Sequence, residues 1–177
     1  MVIKHLLYFS FGSLLLTISC SSEKHKIESE LFSCIIDVTA NDEVALSEKL
    51  DNYEQLLITS KVLENNSGKA YYNLYTKLAN GEKIAIPDSD PEFPDLFSFF
   101  PCYLKMMKAK GSSQTKFIKI WNDMLSSEKR DNQAQAQIII SHLSANEFEI
   151  PFYRLVSLIS IYNFTKLGSA LPNPAGK

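Results

Sequence analysis

A serine followed three residues later by a lysine, as in Ser113-Gln114-Thr115-Lys116, can make a hydroxyl nucleophilic, with the amine as its base. Such a site also needs S-D-N-like and K-T-G-like elements on a larger α/β scaffold. Neither element is present, and Lys166-Leu167-Gly168 lacks the threonine. Read locally, Ser112 or Ser113 caps a helix and Lys116 lies on its surface. His142 is the one histidine within the expected fold. It falls near a helix C-terminus, where a cation is favourable, and no Ser or Cys is placed by the sequence as its nucleophile. The expectation is a chain without catalytic residues, resident metal or cofactor.

Asp88, Asp90 and Glu92 alternate as the oxygen ligands of a calcium loop do. An EF-hand loop requires Gly at its sixth position and Glu at its twelfth; Phe93 and Phe99 stand there. The same segment supports another reading. Asp88, Asp90, Glu92 and Asp95 surround Phe93 among prolines, which suits contact with a basic protein surface through steering and an aromatic anchor. Alternatively, Phe93 and Phe97 staple the next helix to the core.

Cys20 has a different context. Lys4 and His5 make a weakly basic start, and Leu6 to Ile18 is largely apolar. Thr17-Ile18-Ser19-Cys20 then leads into the polar Ser21-Ser22-Glu23-Lys24-His25-Lys26. The apolar run falls short of the roughly 20 residues that span a bilayer, so a cleaved signal is expected. This pattern resembles the signal of bacterial lipoproteins, in the looser form seen in Bacteroidota, with Thr17 where Leu is commonest. The resemblance implies cleavage before Cys20, lipidation of its thiol, and residence in the cell envelope, at the periplasmic face or the cell surface, with the outer membrane as the expected membrane. It covers only the first two dozen residues. A lipidated Cys20 would hold the chain on a membrane without a transmembrane helix, because two or three acyl chains bind stably.

If Cys20 is lipidated, Cys34 and Cys102 remain as an even pair. Export permits a disulfide between them; two separate buried thiols are the alternative. There is no CxxC, and no Cys/His grouping has zinc spacing. Net charge is −2, with Lys far outnumbering Arg. The overall balance shows no basic stripe, so nucleic acid is not an expected partner.

The elements that must position these residues read as helix after helix. Residues 20–30 are polar and are expected to form a tether. Leu31 to Val38 is compact and apolar and fits either a short strand or an opening helical turn, with helix the preferred reading. Leu46, Leu50, Tyr53 and Leu57 mark one face of a helix, expected to end near Asn65-Asn66-Ser67-Gly68. Ala70, Tyr71, Leu74, Tyr75 and Leu78 mark the next, which Asn80-Gly81 should stop. Leu96, Phe99, Phe100, Tyr103, Leu104 and Met107 resume the period, with Pro101 expected to kink or split it. Phe117, Ile120, Trp121, Met124 and Leu125 form a further stripe, and another helix is expected from Asn132 to Leu143. From Pro151 the chain is apolar nearly all round, as a central helix would be. Residues 168–177 read as a disordered tail.

The expected fold is therefore all-α, a single-domain helical bundle or short αα stack of about five to seven helices over residues 31–167. The expected function is that of a non-enzymatic envelope lipoprotein that binds another protein, with a toxin-neutralising immunity lipoprotein as its concrete form. A structural or assembly accessory of an envelope complex is the alternative, and a cell-wall hydrolase the third reading.

Overall fold

The computed structural model describes residues 25–39, 43–87, 93, 100–110, 116–129 and 131–170. These form seven α-helices and one 3₁₀ turn, with no strand among the described residues. The protein is an all-α domain, as its apolar periodicity requires.

Helix α1 spans Lys26–Thr39. It starts within the stretch expected as tether, because Ile27 extends the Leu31–Ile35 stripe back by one helical turn and Glu28 occupies the first turn, where the helix dipole favours an acid. Helix α2 spans Glu43–Thr59. Leu46, Leu50, Tyr53 and Leu57 are all buried, as their spacing predicts.

Helix α2 ends several residues earlier than the sequence suggests. The Val62 and Leu63 amides both donate to the Leu57 carbonyl, and the Lys61 amide donates to that of Ile58. Lys61 takes a left-handed backbone conformation, φ 61°. This is a Schellman stop with lysine where glycine is usual, and it turns Leu63 back into the core.

Helix α3 spans Gly68–Ala79. Ser67 caps it by accepting from the Ala70 amide, and the Glu149 carboxylate accepts from the Gly68 amide at 2.6 Å. A Cβ at Gly68 would lie 2.1 Å from the Ala145 carbonyl oxygen, so only glycine allows this approach. The helix stops at Asn80-Gly81 as expected, with Gly81 at φ 79°.

Helices α4 (Phe100–Lys110), α5 (Lys116–Ser126) and α6 (Asn132–His142) follow. Pro101 neither kinks nor splits the described part of α4. It lies in the first turn, where the missing N–H has no intrahelical partner to lose. Asp131 caps α6 by accepting from the Ala134 amide at 2.8 Å. Gln133 and Gln137 of α6 both donate to the Ala79 carbonyl at the end of α3. Alanines 134 and 136, both buried, let α6 pack closely along α3.

A 3₁₀ turn, Glu147–Glu149, leads into α7, Pro151–Ala170. Helix α7 is the axis of the fold and touches α1, α2 and the 3₁₀ turn. Phe152, Tyr153, Leu155, Leu158, Ile159, Ile161, Tyr162 and Phe164 are buried on several of its sides. It continues through Gly168 to Ala170, three residues into the stretch expected as tail. The core is aromatic: Tyr75 and Phe148 stack at 5.6 Å, and Phe117 meets Phe152 edge-on at 5.0 Å. The Tyr75 hydroxyl donates to the Ser157 carbonyl, and the Ser157 hydroxyl donates one turn back to Tyr153.

Cys34 of α1 and Cys102 of α4 form a disulfide, with Cα atoms 5.8 Å apart. Of the two readings left open by the sequence, the bridge is the one adopted.

Candidate functional site

The candidate residues separate widely. Cys20, Asp88, Asp90, Glu92, Asp95 and Ser113 lie outside the described residues. Lys116 is engaged elsewhere: its Nζ pairs with Glu147 Oε1 at 2.6 Å, joining the start of α5 to the 3₁₀ turn. Burial opposes ionisation of Glu147. The Lys116 ammonium and the Ser144 hydroxyl and amide outweigh it and lower its pKa to about 2. His142 Nε2 lies 2.6 Å from Asp123 Oδ2, joining the end of α6 to α5. Both candidates for acid–base work therefore hold α5 in place, one at each end.

Phe93 is buried and packs 5.4 Å from Tyr53 and 4.9 Å from Tyr162. Its ring faces the core and not solvent, which departs from the expected role of Phe93 as an aromatic anchor for a partner; Phe97, its companion in the stapling reading, lies outside the described residues. It fixes the middle of the acidic segment against α2 and α7.

A second cluster was not apparent from the sequence. Glu54 of α2 is buried, with its Oε1 accepting from the Tyr71 hydroxyl at 2.6 Å and lying 3.0 Å from Arg154 Nε of α7. The Arg154 guanidinium also donates to the Asn66 carbonyl and lies 5.8 Å from the centre of the Tyr71 ring. Burial, then the bond to Glu54, raises the Tyr71 pKa far above the ordinary phenol range. The Tyr71 hydroxyl is thus a fixed hydrogen-bond donor. The group joins α2, the turn after it, α3 and α7, and each partner is occupied by another. A helical period of three or four hides such a pairing, since Glu54 adjoins the apolar stripe and its cation lies a hundred residues away in sequence.

The third feature is on the surface. Among the described residues, Phe100, Leu104 and Leu125 are the large apolar side chains that stay exposed, at 39, 38 and 46 %. They depart from the buried stripes expected for α4 and α5. Phe100 stacks on Tyr103 and on Trp121, and the Tyr103 hydroxyl donates to Asn122 at 2.8 Å. Beneath α5, a narrow apolar void of about 20 Å³ lies among Phe117, Ile120, Trp121, Leu143 and Val156. A void of that size holds one water at most, so it is a packing defect and not a ligand pocket.

Among the described residues, no group of three or more His, Cys, Asp or Glu could hold a metal ion. No helix among them is long and apolar enough to cross a membrane. Comparison with protein-family models, curated proteins and solved structures returned no match.

Proposed function

We propose that the protein is a lipid-anchored, non-enzymatic binding protein of a bacterial envelope, in the concrete form of a toxin-neutralising immunity lipoprotein. The Cys34–Cys102 bridge carries this reading. Stable disulfides belong to oxidising compartments, the bacterial periplasm and cell surface among them. The bridge also consumes two of the three cysteines and leaves Cys20, the residue of the lipoprotein-like box, as the odd one. The binding part of the reading rests on the acidic segment. Phe93 anchors its middle to the core, and Asp88, Asp90, Glu92 and Asp95 are its near neighbours in sequence.

Two measurements test this. Metabolic labelling with an alkyne fatty acid should mark the wild-type chain and not Cys20→Ser; equal labelling of both removes the anchor. Crosslinked affinity capture from intact cells should then yield one dominant basic partner. Charge reversal of Asp88, Asp90 and Glu92 should weaken that capture at least tenfold. Capture of abundant envelope-assembly subunits would favour an accessory role, and unchanged capture by the reversed variant would remove the acidic segment as the contact.

A further inference from the structure

The net charge of −2 conceals a local asymmetry. Between Asp95 and Asp123 there is no acidic residue, yet Lys105, Lys108, Lys110, Lys116 and Lys119 all fall there. Helices α4 and α5, here called the α4–α5 hairpin, make up the described part of this interval, and the end of α5 adds one acid, Asp123, which pairs with His142. The same hairpin carries the three large apolar side chains that are exposed among the described residues, Phe100 and Leu104 one helical turn apart on α4 and Leu125 on α5. Lys105 and Lys119 are exposed on the same two helices, and Lys116, although paired with Glu147, is 45 % exposed.

We propose that the α4–α5 hairpin is a contact surface for an anionic lipid bilayer. Three observations favour a bilayer over an acidic protein. Firstly, the cations are all lysine, a residue depleted at protein interfaces, where arginine is enriched. Lysine suits a lipid surface, because its stem lies along apolar atoms while the ammonium reaches the headgroups. Secondly, the aromatics that usually anchor a protein partner lie underneath: Trp121 and Tyr103 are buried, and Phe100 stacks on both. Thirdly, the surface is within reach of the proposed anchor. Cys20 precedes Lys26 by six residues, at most about 21 Å of chain. Cys34 lies eight residues into α1, about 12 Å along its axis, and is bonded to Cys102 of α4. Only this third argument rests on the lipidation of Cys20.

A chain beginning at Ser21 keeps every described contact and lacks Cys20, so it tests the surface without the anchor. Its partition onto vesicles of 70 % phosphatidylcholine and 30 % phosphatidylglycerol should be at least tenfold stronger than onto pure phosphatidylcholine, and 0.5 M salt should suppress it. Lys105→Glu with Lys119→Glu should reduce it about tenfold, and Leu104→Ser with Leu125→Ser severalfold. All four side chains are exposed, so helical circular dichroism should stay unchanged. Trp121 is the single tryptophan and lies against Phe100, so brominated lipids should quench it in the wild type and not in either double variant. Equal partition onto both vesicle types, or none, overturns the proposal, as does quenching that neither variant alters. If vesicle binding is absent and the lysine reversals instead abolish capture of an acidic protein, the hairpin is a protein interface and the proposal is again overturned. None of these outcomes depends on whether Cys20 is labelled in cells.

Discussion

Glu54 shows how one buried carboxylate constrains three helices. Its carboxylate is buried, lies 3.0 Å from Arg154 Nε and accepts from the Tyr71 hydroxyl. Removing one partner of a buried pair leaves the other uncompensated, at a cost of several kcal/mol, whereas replacing both with apolar groups is often neutral. Arg154 keeps 29 % of its side-chain surface, which lessens the effect. Arg154→Met should therefore destabilise by about 2–4 kcal/mol in urea unfolding, and adding Glu54→Leu should recover most of that loss. Additive losses in the double variant would show that packing, and not charge, sets the cost. Lys61 invites the opposite change. A left-handed backbone costs a residue with a Cβ about 1 kcal/mol, and the matching stop after α3 already uses Gly81 at φ 79°. Lys61→Gly should raise stability by about 0.5–1 kcal/mol, since the relieved strain exceeds the added freedom of the unfolded chain. An unchanged or lower urea midpoint would show that the turn is held by Leu63 and not limited by Lys61.

The helices were legible wherever burial followed a helical period, and less so at their ends. The α2 and α3 stripes and the Pro151 start of α7 follow directly from residue spacing. The end of α2 does not, because a lysine in the glycine position of a Schellman stop has no sequence signature. The exposed face of α4 and α5 was equally hidden. Spacing marks a stripe, but burial also requires a neighbour to cover it, and none among the described elements covers Phe100, Leu104 or Leu125 fully. The roles of Lys116 and His142 were illegible for a related reason: their carboxylate partners, Glu147 and Asp123, come from other elements. The Lys116–Glu147 tie gives α5 a pH dependence of known sign. The Glu147 pKa is depressed from 4.5 to about 2, so the folded state favours the carboxylate. Its contribution is complete above about pH 4.5 and is lost as pH falls towards 2. Glu147→Gln should flatten the acid limb of the stability curve over that interval and leave the curve's shape above pH 5 unchanged. Equal slopes in the two proteins would mean that Glu147 is not held in the folded state.

At the scale of the molecule, α7 and the disulfide complement each other. Helix α7 organises α1, α2 and the 3₁₀ turn through burial, and α3 packs along α6. Helix α4 is tied differently. Its described apolar side chains include two that remain exposed, and it meets α1 at the Cys34–Cys102 bridge. The bridge spans a sequence separation of 68, so reduction frees a long loop in the unfolded chain. On the loop-entropy account this should lower stability by about 2–4 kcal/mol. The loss should be uneven. The α3–α6–α7 core, with its stacked Tyr71, Phe148 and Tyr75, contains no cysteine and should keep its amide protection. Protection should fall first in α4 and in the Cys34 end of α1. Hydrogen exchange on the oxidised protein, the reduced protein and Cys34→Ser/Cys102→Ser checks this directly, with thiol alkylation confirming the redox state. Uniform loss across all seven helices would mean that the bridge stabilises one cooperative unit. Loss confined to α4 and α1 would mean that the proposed membrane-facing hairpin is attached to an independently stable core, and that the redox state of the compartment governs how firmly it is held.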